Sequence, residues 1–192
     1  MGSIERVFFH ELGHFVARKI NHVHYGGPDV TSIELFPCPR QQEELCGGLE
    51  LVISVGHEPG RQIPTDRLSS YLLSILYGCV FQSYRAWDPI DACLTNHGEE
   101  DSVKFDQVLR YHGFRNHNTA LRSLILQHLK ELKEARSLDA FLQLPVKNYL
   151  LETGPNRFSV KLPELCADTQ ALIETHHPLY QALEQAFSTI LY

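Results

Sequence analysis

The sequence predicts a mostly helical α+β domain with a small β-hairpin or sheet. Apolar residues recur at helical spacing in several long segments, and two short runs rich in β-branched residues stand between the first two of them. Glycine and proline punctuate the joins. The chain of 192 residues is 43% apolar and 21% charged, which suits one folded domain able to bury a core.

In residues 3–21, apolar side chains at 4, 7, 8, 12, 15, 16 and 20 predict a helix, with Ser3 as its cap and Gly26-Gly27-Pro28 as breakers. Residues 30–36 (VTSIELF) predict a strand that Pro37 and Pro39 stop. Gly47-Gly48 then leads into a second strand, LELVISV (49–55), paired with the first as an antiparallel hairpin. A loop over 56–64 precedes a long helix capped by Thr65 or Asp66 and reaching Arg85. Its apolar positions cover most of its circumference, so it is expected at the centre of the fold. Gly78 inside it costs roughly 1 kcal/mol relative to alanine, a cost that close packing of another helix would explain. After a loop from Trp87-Asp88-Pro89, the acidic stretch Glu99-Glu100-Asp101 opens a helix to Tyr111, ended by Gly113. Further helices are expected at 116–135, 137–143 and from Pro178 to Leu191, with a small hairpin around Pro155. His176-His177 reads as the entry to that last helix. No internal repeat is present, and residues after 112 carry no legible motif.

Composition excludes several function classes. A formal charge of −6, from 17 basic and 23 acidic residues, argues against a nucleic-acid or anionic-membrane binder, and Arg110, Arg115 and Arg122 carry too little charge to change that. No apolar run approaches the ~18–20 residues of a membrane span. Glu5, Arg6 and the polar residues after Phe9 do not make a secretory leader. The five cysteines are odd in number and form no CxxC pair, so reduced thiols, a cytoplasmic location and no cysteine-based zinc site are expected.

The first helix carries His10-Glu11-Leu12-Gly13-His14, an HExxH pattern. Residues i and i+4 lie one above the other on a helix, so both imidazoles reach one metal ion from the same face. Glu11 is turned by roughly 100°, where it can accept a proton from a zinc-bound water without being a ligand. His10 and His14 lie at the edge of the apolar stripe, which places them in a cleft. A catalytic zinc needs a third protein ligand. A metzincin would have histidine at position 20, which is Ile20; a thermolysin-like site would take glutamate from a second helix. Glu99, Glu100, Asp101, His22, His24, His57 and His97 all stand as candidates.

The order of motifs resembles the peptidase domain of the FtsH family of ATP-dependent zinc proteases. That family has HEAGH on a first helix, a short β segment with a glycine pair, a long helix of the type LLGGRAAEE, and a TTGAxND loop opening another helix. Here HELGH precedes VTSIELFPCP and Gly47-Gly48; TDRLSSYLLSILYGCVFQS (65–83) stands for the long helix; and Thr95-Asn96-His97-Gly98-Glu99-Glu100-Asp101 stands for the loop. The resemblance covers about residues 4–112 and implies Asp101 as third zinc ligand, with Glu100, in the place of the family's asparagine, as its rival. Such a ligand set with hydroxide would be near neutral. Cys79 replaces the second glycine and Gln82-Ser83 replaces the acidic pair. The family's AAA+ module and membrane segments have no counterpart here.

The expected organisation is thus a zinc-binding core over 1–112 and a helical extension over 113–192 packed on the same domain. The expected function is a zinc-dependent endopeptidase with His10, His14 and Asp101 on Zn2+ and Glu11 as general base, acting on peptides or unfolded protein segments. An ATPase partner in trans or a homo-oligomer would be compatible with it. The alternative is a non-catalytic interaction module that retains the zinc. The strand after Gly47-Gly48 is expected either as an exposed edge that holds an extended substrate or as an ordinary inner strand. Cys38, Cys46, Cys79 and Cys93 have no base partner in the sequence and read as buried or loop thiols.

Overall fold

A computed structural model describes residues 3–38, 44–52, 63–86, 89–95 and 98–192. Mostly helical, it carries one small antiparallel sheet. Helix α1 (Ser3–Tyr25) leads into β1 (Val30–Pro37) and β2 (Leu45–Leu51). Helices α2 (Leu68–Ala86), α3 (Ile90–Thr95), α4 (Glu99–Tyr111) and α5 (Asn118–Glu134) follow, then the short α6 (Asp139–Leu142) and α7 (Val146–Tyr149). The hairpin β3 (Leu150–Gly154) and β4 (Arg157–Val160) leads into α8 (Leu162–Leu191). The strand order is β2-β1-β4-β3, so the late hairpin completes the sheet begun by the early one. The segment after residue 112 therefore contributes strands as well as helices.

Helix α2 is buried at nearly every position from Leu68 to Tyr84, as its apolar circumference predicts. It runs antiparallel to α1 at very short range. A Cβ on Gly13 would collide with the Tyr77 carbonyl oxygen and lie 3.0 Å from Gly78 Cα. The two glycines thus let the backbones meet, which accounts for a helix-weakening residue at the centre of α2. Helix α1 packs on β1 and β2 with its other side and buries Phe8, Phe9, Leu12, Phe15, Val16 and Ile20. Asn21 donates to Ser70 O at 2.8 Å and accepts from the Tyr180 hydroxyl at 2.9 Å, tying α8 to both. No helix among the described residues is long and apolar enough to cross a membrane.

Several expectations are corrected. The second strand is 45–51 rather than 49–55, because Pro37 pairs with Leu45 and Leu35 with Gly47; residues 53–55 lie outside the described residues. Gly47-Gly48 stands inside the strand, not before it. Neither Thr65 nor Asp66 caps α2; the chain enters through a 3-10 turn over Thr65–Arg67 with no side-chain cap. The Ser3 side chain, Pro39, the loop 53–62 and Trp87-Asp88 lie outside the described residues. The final helix begins at Leu162, with Pro178 inside it and His176-His177 mid-helix. Proline removes one backbone donor and crowds the preceding turn. The buried stripe Leu165, Thr169, His176, Tyr180, Leu183, Phe187 and Leu191 spans the proline on both sides and holds the helix together against the core.

The thiol expectation also fails in part. Cys38 and Cys46 form a disulfide, with Cα atoms 5.0 Å apart, while Cys79, Cys93 and Cys166 are free. The pairing of Phe36 with Cys46 brings Cys38 beside it, a proximity set by strand register and invisible to a count of cysteines. The bond removes the basis for expecting a reducing cytoplasm.

Candidate metal centre

His10 and His14 leave α1 one turn apart and face α2 and the first turn of α4. His14 Nδ1 donates to the Ser74 carbonyl at 2.8 Å, and His10 Nδ1 donates to Gln82 Oε1 at 3.0 Å. With both Nδ1 protons engaged, each neutral ring presents a lone pair at Nε2. The two Nε2 atoms lie 3.1 Å apart, and Asp101 Oδ2 lies 3.0 Å from His10 Nε2 and 3.1 Å from His14 Nε2. Three lone-pair donors from two helices, α1 and α4, thus converge on one point. A tetrahedral zinc with bonds of about 2.0–2.1 Å holds its ligand atoms roughly 3.3 Å apart, so the donor set fits such an ion closely.

The surroundings favour positive charge at that point. Burial opposes a charge on His10, yet hydrogen bonds to Asp101 and Cys93 and the nearby charges of Asp101 and Glu11 raise its pKa well above the ordinary imidazole value. Burial likewise opposes ionisation of Asp101, but His14 and His10 hold its carboxyl far below the usual carboxylate range. Position contributes as well: Asp101 stands in the first turn of α4, where the helix dipole favours a carboxylate. Glu11, only 5% exposed, has its pKa raised by burial against the lowering effect of the two histidines.

Glycines make the room. A Cβ on Gly78 would overlap His14 Nε2 and lie 2.8 Å from His10 Nε2. A Cβ on Gly47 would overlap the Glu11 side chain. Strand β2 therefore passes directly over Glu11, and the disulfide residue Cys46 is next to that crossing. The centre opens into a cleft of about 700 Å³ whose wall includes Glu11, Cys46, Gly47, Leu49, Ile75 and Asp101. Within the described residues β2 is an edge of the sheet, and this edge borders the cleft.

The other candidate ligands are placed elsewhere. Glu99 and Glu100 are exposed at the cleft rim, outside the converging group. His22 donates from Nδ1 to Gly27 O at 2.9 Å, and the ring of His24 stacks on His177 at 3.6 Å. His57 and His97 lie outside the described residues. A second group was not foreseen: His10, Cys79 and Cys93 also come within metal-binding reach of one another. Cys93 Sγ lies 2.9 Å from Cys79 Sγ. Its hydrogen bond with Cys79, joined by His10, lowers the Cys93 pKa to about 6 despite burial. Sequence reasoning also missed Gln82, Ser74 and Gly47 as supporting residues. Gln82 stood out only as a departure from the family pattern.

No family model, curated protein or solved structure matches the chain. The likeness to the FtsH peptidase domain rests on its motifs and their order.

Proposed function

We propose that the protein is a zinc-dependent endopeptidase related to the FtsH peptidase domain, acting on peptides or unfolded segments. The observation that carries this is the meeting of His10 Nε2, His14 Nε2 and Asp101 Oδ2 within 3.1 Å of one another, beside buried Glu11 in an open cleft. A zinc ion on these ligands would supply Lewis acidity, polarising the scissile carbonyl and lowering the pKa of a water molecule. Gln82 and the Ser74 carbonyl fix the tautomer and orientation of the imidazoles. Asp101 offsets positive charge. Glu11, its pKa raised by burial, takes a proton from the attacking water and returns it to the leaving amine. The free edge of β2 supports an extended substrate lying alongside it through main-chain hydrogen bonds. Folded substrates would need a partner ATPase to open them.

The second reading is a zinc-holding interaction module without turnover, with the metal seated on His10, Cys79 and Cys93, a more enclosed thiolate-rich set typical of structural sites. Metal content and peptide hydrolysis of wild type and Glu11→Gln separate the two. Equal zinc with activity lost only in the variant supports the peptidase; zinc without activity in either supports the module. X-ray absorption at the zinc edge gives an independent answer, since nitrogen and oxygen neighbours alone are expected and sulfur neighbours would move the ion to the cysteines.

A further inference from the structure

Arg18 continues the line of His10 and His14 along α1, four residues beyond His14, and lines the same cleft. It is 8% exposed. Its guanidinium sits 5.0 Å from the centroid of the Tyr71 ring, and no carboxylate among the described residues lies within ion-pair distance of it. The neighbouring cations differ. Lys19 is held by Asp29 at 2.8 Å, and Arg6 lies 3.8 Å from Glu44. A buried guanidinium is costly unless an anion meets it, and it stays charged at neutral pH. Arg18 is therefore a nearly buried cation that faces a ligand cleft with Tyr71 as a neutral hydrogen-bond partner and the Asp101 charge acting on it only from beyond ion-pair distance.

Its place along the cleft is set by two elements. One helical turn separates it from His14, about 6 Å of rise. Strand β2 passes over Glu11 at Gly47 and runs toward Val52, whose N–H bonds to Asp29 O, the residue that holds Lys19. An extended chain following β2 from the metal centre, at about 3.3 Å per residue, comes level with Arg18 roughly two residues from the reacting bond. The fork of N–H donors on a guanidinium matches a carboxylate in bidentate geometry.

We propose that Arg18 forms an anion subsite that takes a substrate carboxylate, from an acidic side chain or from a free C-terminus, about two residues from the scissile bond. What is cleaved rests on the peptidase reading; what is bound does not. The test uses labelled decapeptides of glycine, alanine and serine with one glutamate moved along the chain, their glutamine counterparts, and each peptide as free acid and as C-terminal amide. Binding is measured by fluorescence anisotropy on the full chain loaded with zinc, in the non-hydrolysing Glu11→Gln background, with and without Arg18→Met and Arg18→Lys.

The carboxylate form is expected to bind about tenfold tighter than its neutral counterpart, a preference reduced to within about twofold by Arg18→Met and partly kept by Arg18→Lys. A preference for the internal glutamate assigns the side-chain source; a preference for acid over amide assigns the terminus. Thermal melts confirm that each variant is folded before its binding is read. Equal binding of charged and neutral peptides by folded protein with Arg18 intact, or a preference that survives Arg18→Met, overturns the subsite. An Arg18-dependent preference without hydrolysis by wild type would keep the subsite and sink the peptidase.

Discussion

Two histidine clusters pack against different faces of α2, and they behave differently. On one side, His10 and His14 point their Nε2 lone pairs at each other and at a carboxylate, with the Nδ1 protons already used by Gln82 and Ser74. On the other, His128 and His176 both meet the Tyr77 hydroxyl, at 3.1 and 2.6 Å, within the core. There burial drives the histidine pKa values down to about 4 and about 3, so both rings are neutral. The first cluster gathers acceptors and raises the pKa of His10; the second shares a hydroxyl proton and excludes charge. Buried histidine alone therefore does not mark a functional site. Convergence of lone pairs toward an open cleft is the feature on which the proposed site rests, and only one of the two clusters has it.

The sharpest break of this contrast is ligand removal. His14→Ala or Asp101→Ala should take bound zinc from about one per chain to none, read by elemental analysis, with hydrolysis lost. Glu11→Gln should keep the zinc and lower kcat by a factor on the order of 10² to 10⁴. Equivalent zinc content in His128→Gln confirms that the back cluster holds no metal, and a loss of zinc there would erase the distinction. Gly78→Ala comes next: its Cβ would displace both imidazoles, so zinc affinity should fall at least tenfold even if the fold survives.

The back cluster is tested by acid. His128 and His176 have folded-state pKa values below the unfolded value of about 6.5, so the unfolded chain binds more protons than the folded one as pH falls. Their contribution is intact above pH 6.5 and is lost progressively down toward pH 4 and 3. In that window the two sites together should approach a slope of roughly 2–3 kcal/mol per pH unit in urea unfolding. The double variant His128→Gln/His176→Gln should flatten it, and an unchanged slope would assign the acid sensitivity to other groups. A smaller effect is expected from Cys38→Ser/Cys46→Ser, which should lower stability by about 2–3 kcal/mol in the chain-entropy view. The finest comparison sets two adjacent glycines side by side. Gly47→Ala should impair hydrolysis through Glu11 while leaving zinc in place. Gly48→Ala, whose Cβ meets only the Phe36 ring at 3.6 Å, should be nearly silent.

Much of the fold was legible because it rests on local periodicity. The spacing of Ile4, Val7, Phe8, Leu12, Phe15, Val16 and Ile20 made α1 readable, the apolar circumference of 65–85 placed α2 at the centre, and the turn at Pro155 marked the late hairpin. The first half of α8 was not legible, because a proline usually ends a helix and only burial against α1, α2 and α5 sustains one across Pro178. Strand register was not legible either. It depends on which residue of β1 faces which of β2, and that in turn decided the disulfide and the position of Gly47.

By itself the sequence determined the helical framework and the placing of two histidines and a glutamate on one helix, since i and i+4 share a face whatever the rest of the chain does. The tertiary structure alone decided what joins them. Asp101 is 91 residues from His10, Gln82 is 72 residues away, and Arg18 becomes a cation in a cleft with no carboxylate in ion-pair contact only after β2 and α2 close around it. Proximity between distant residues is set by the packing of whole elements, and no local pattern encodes it.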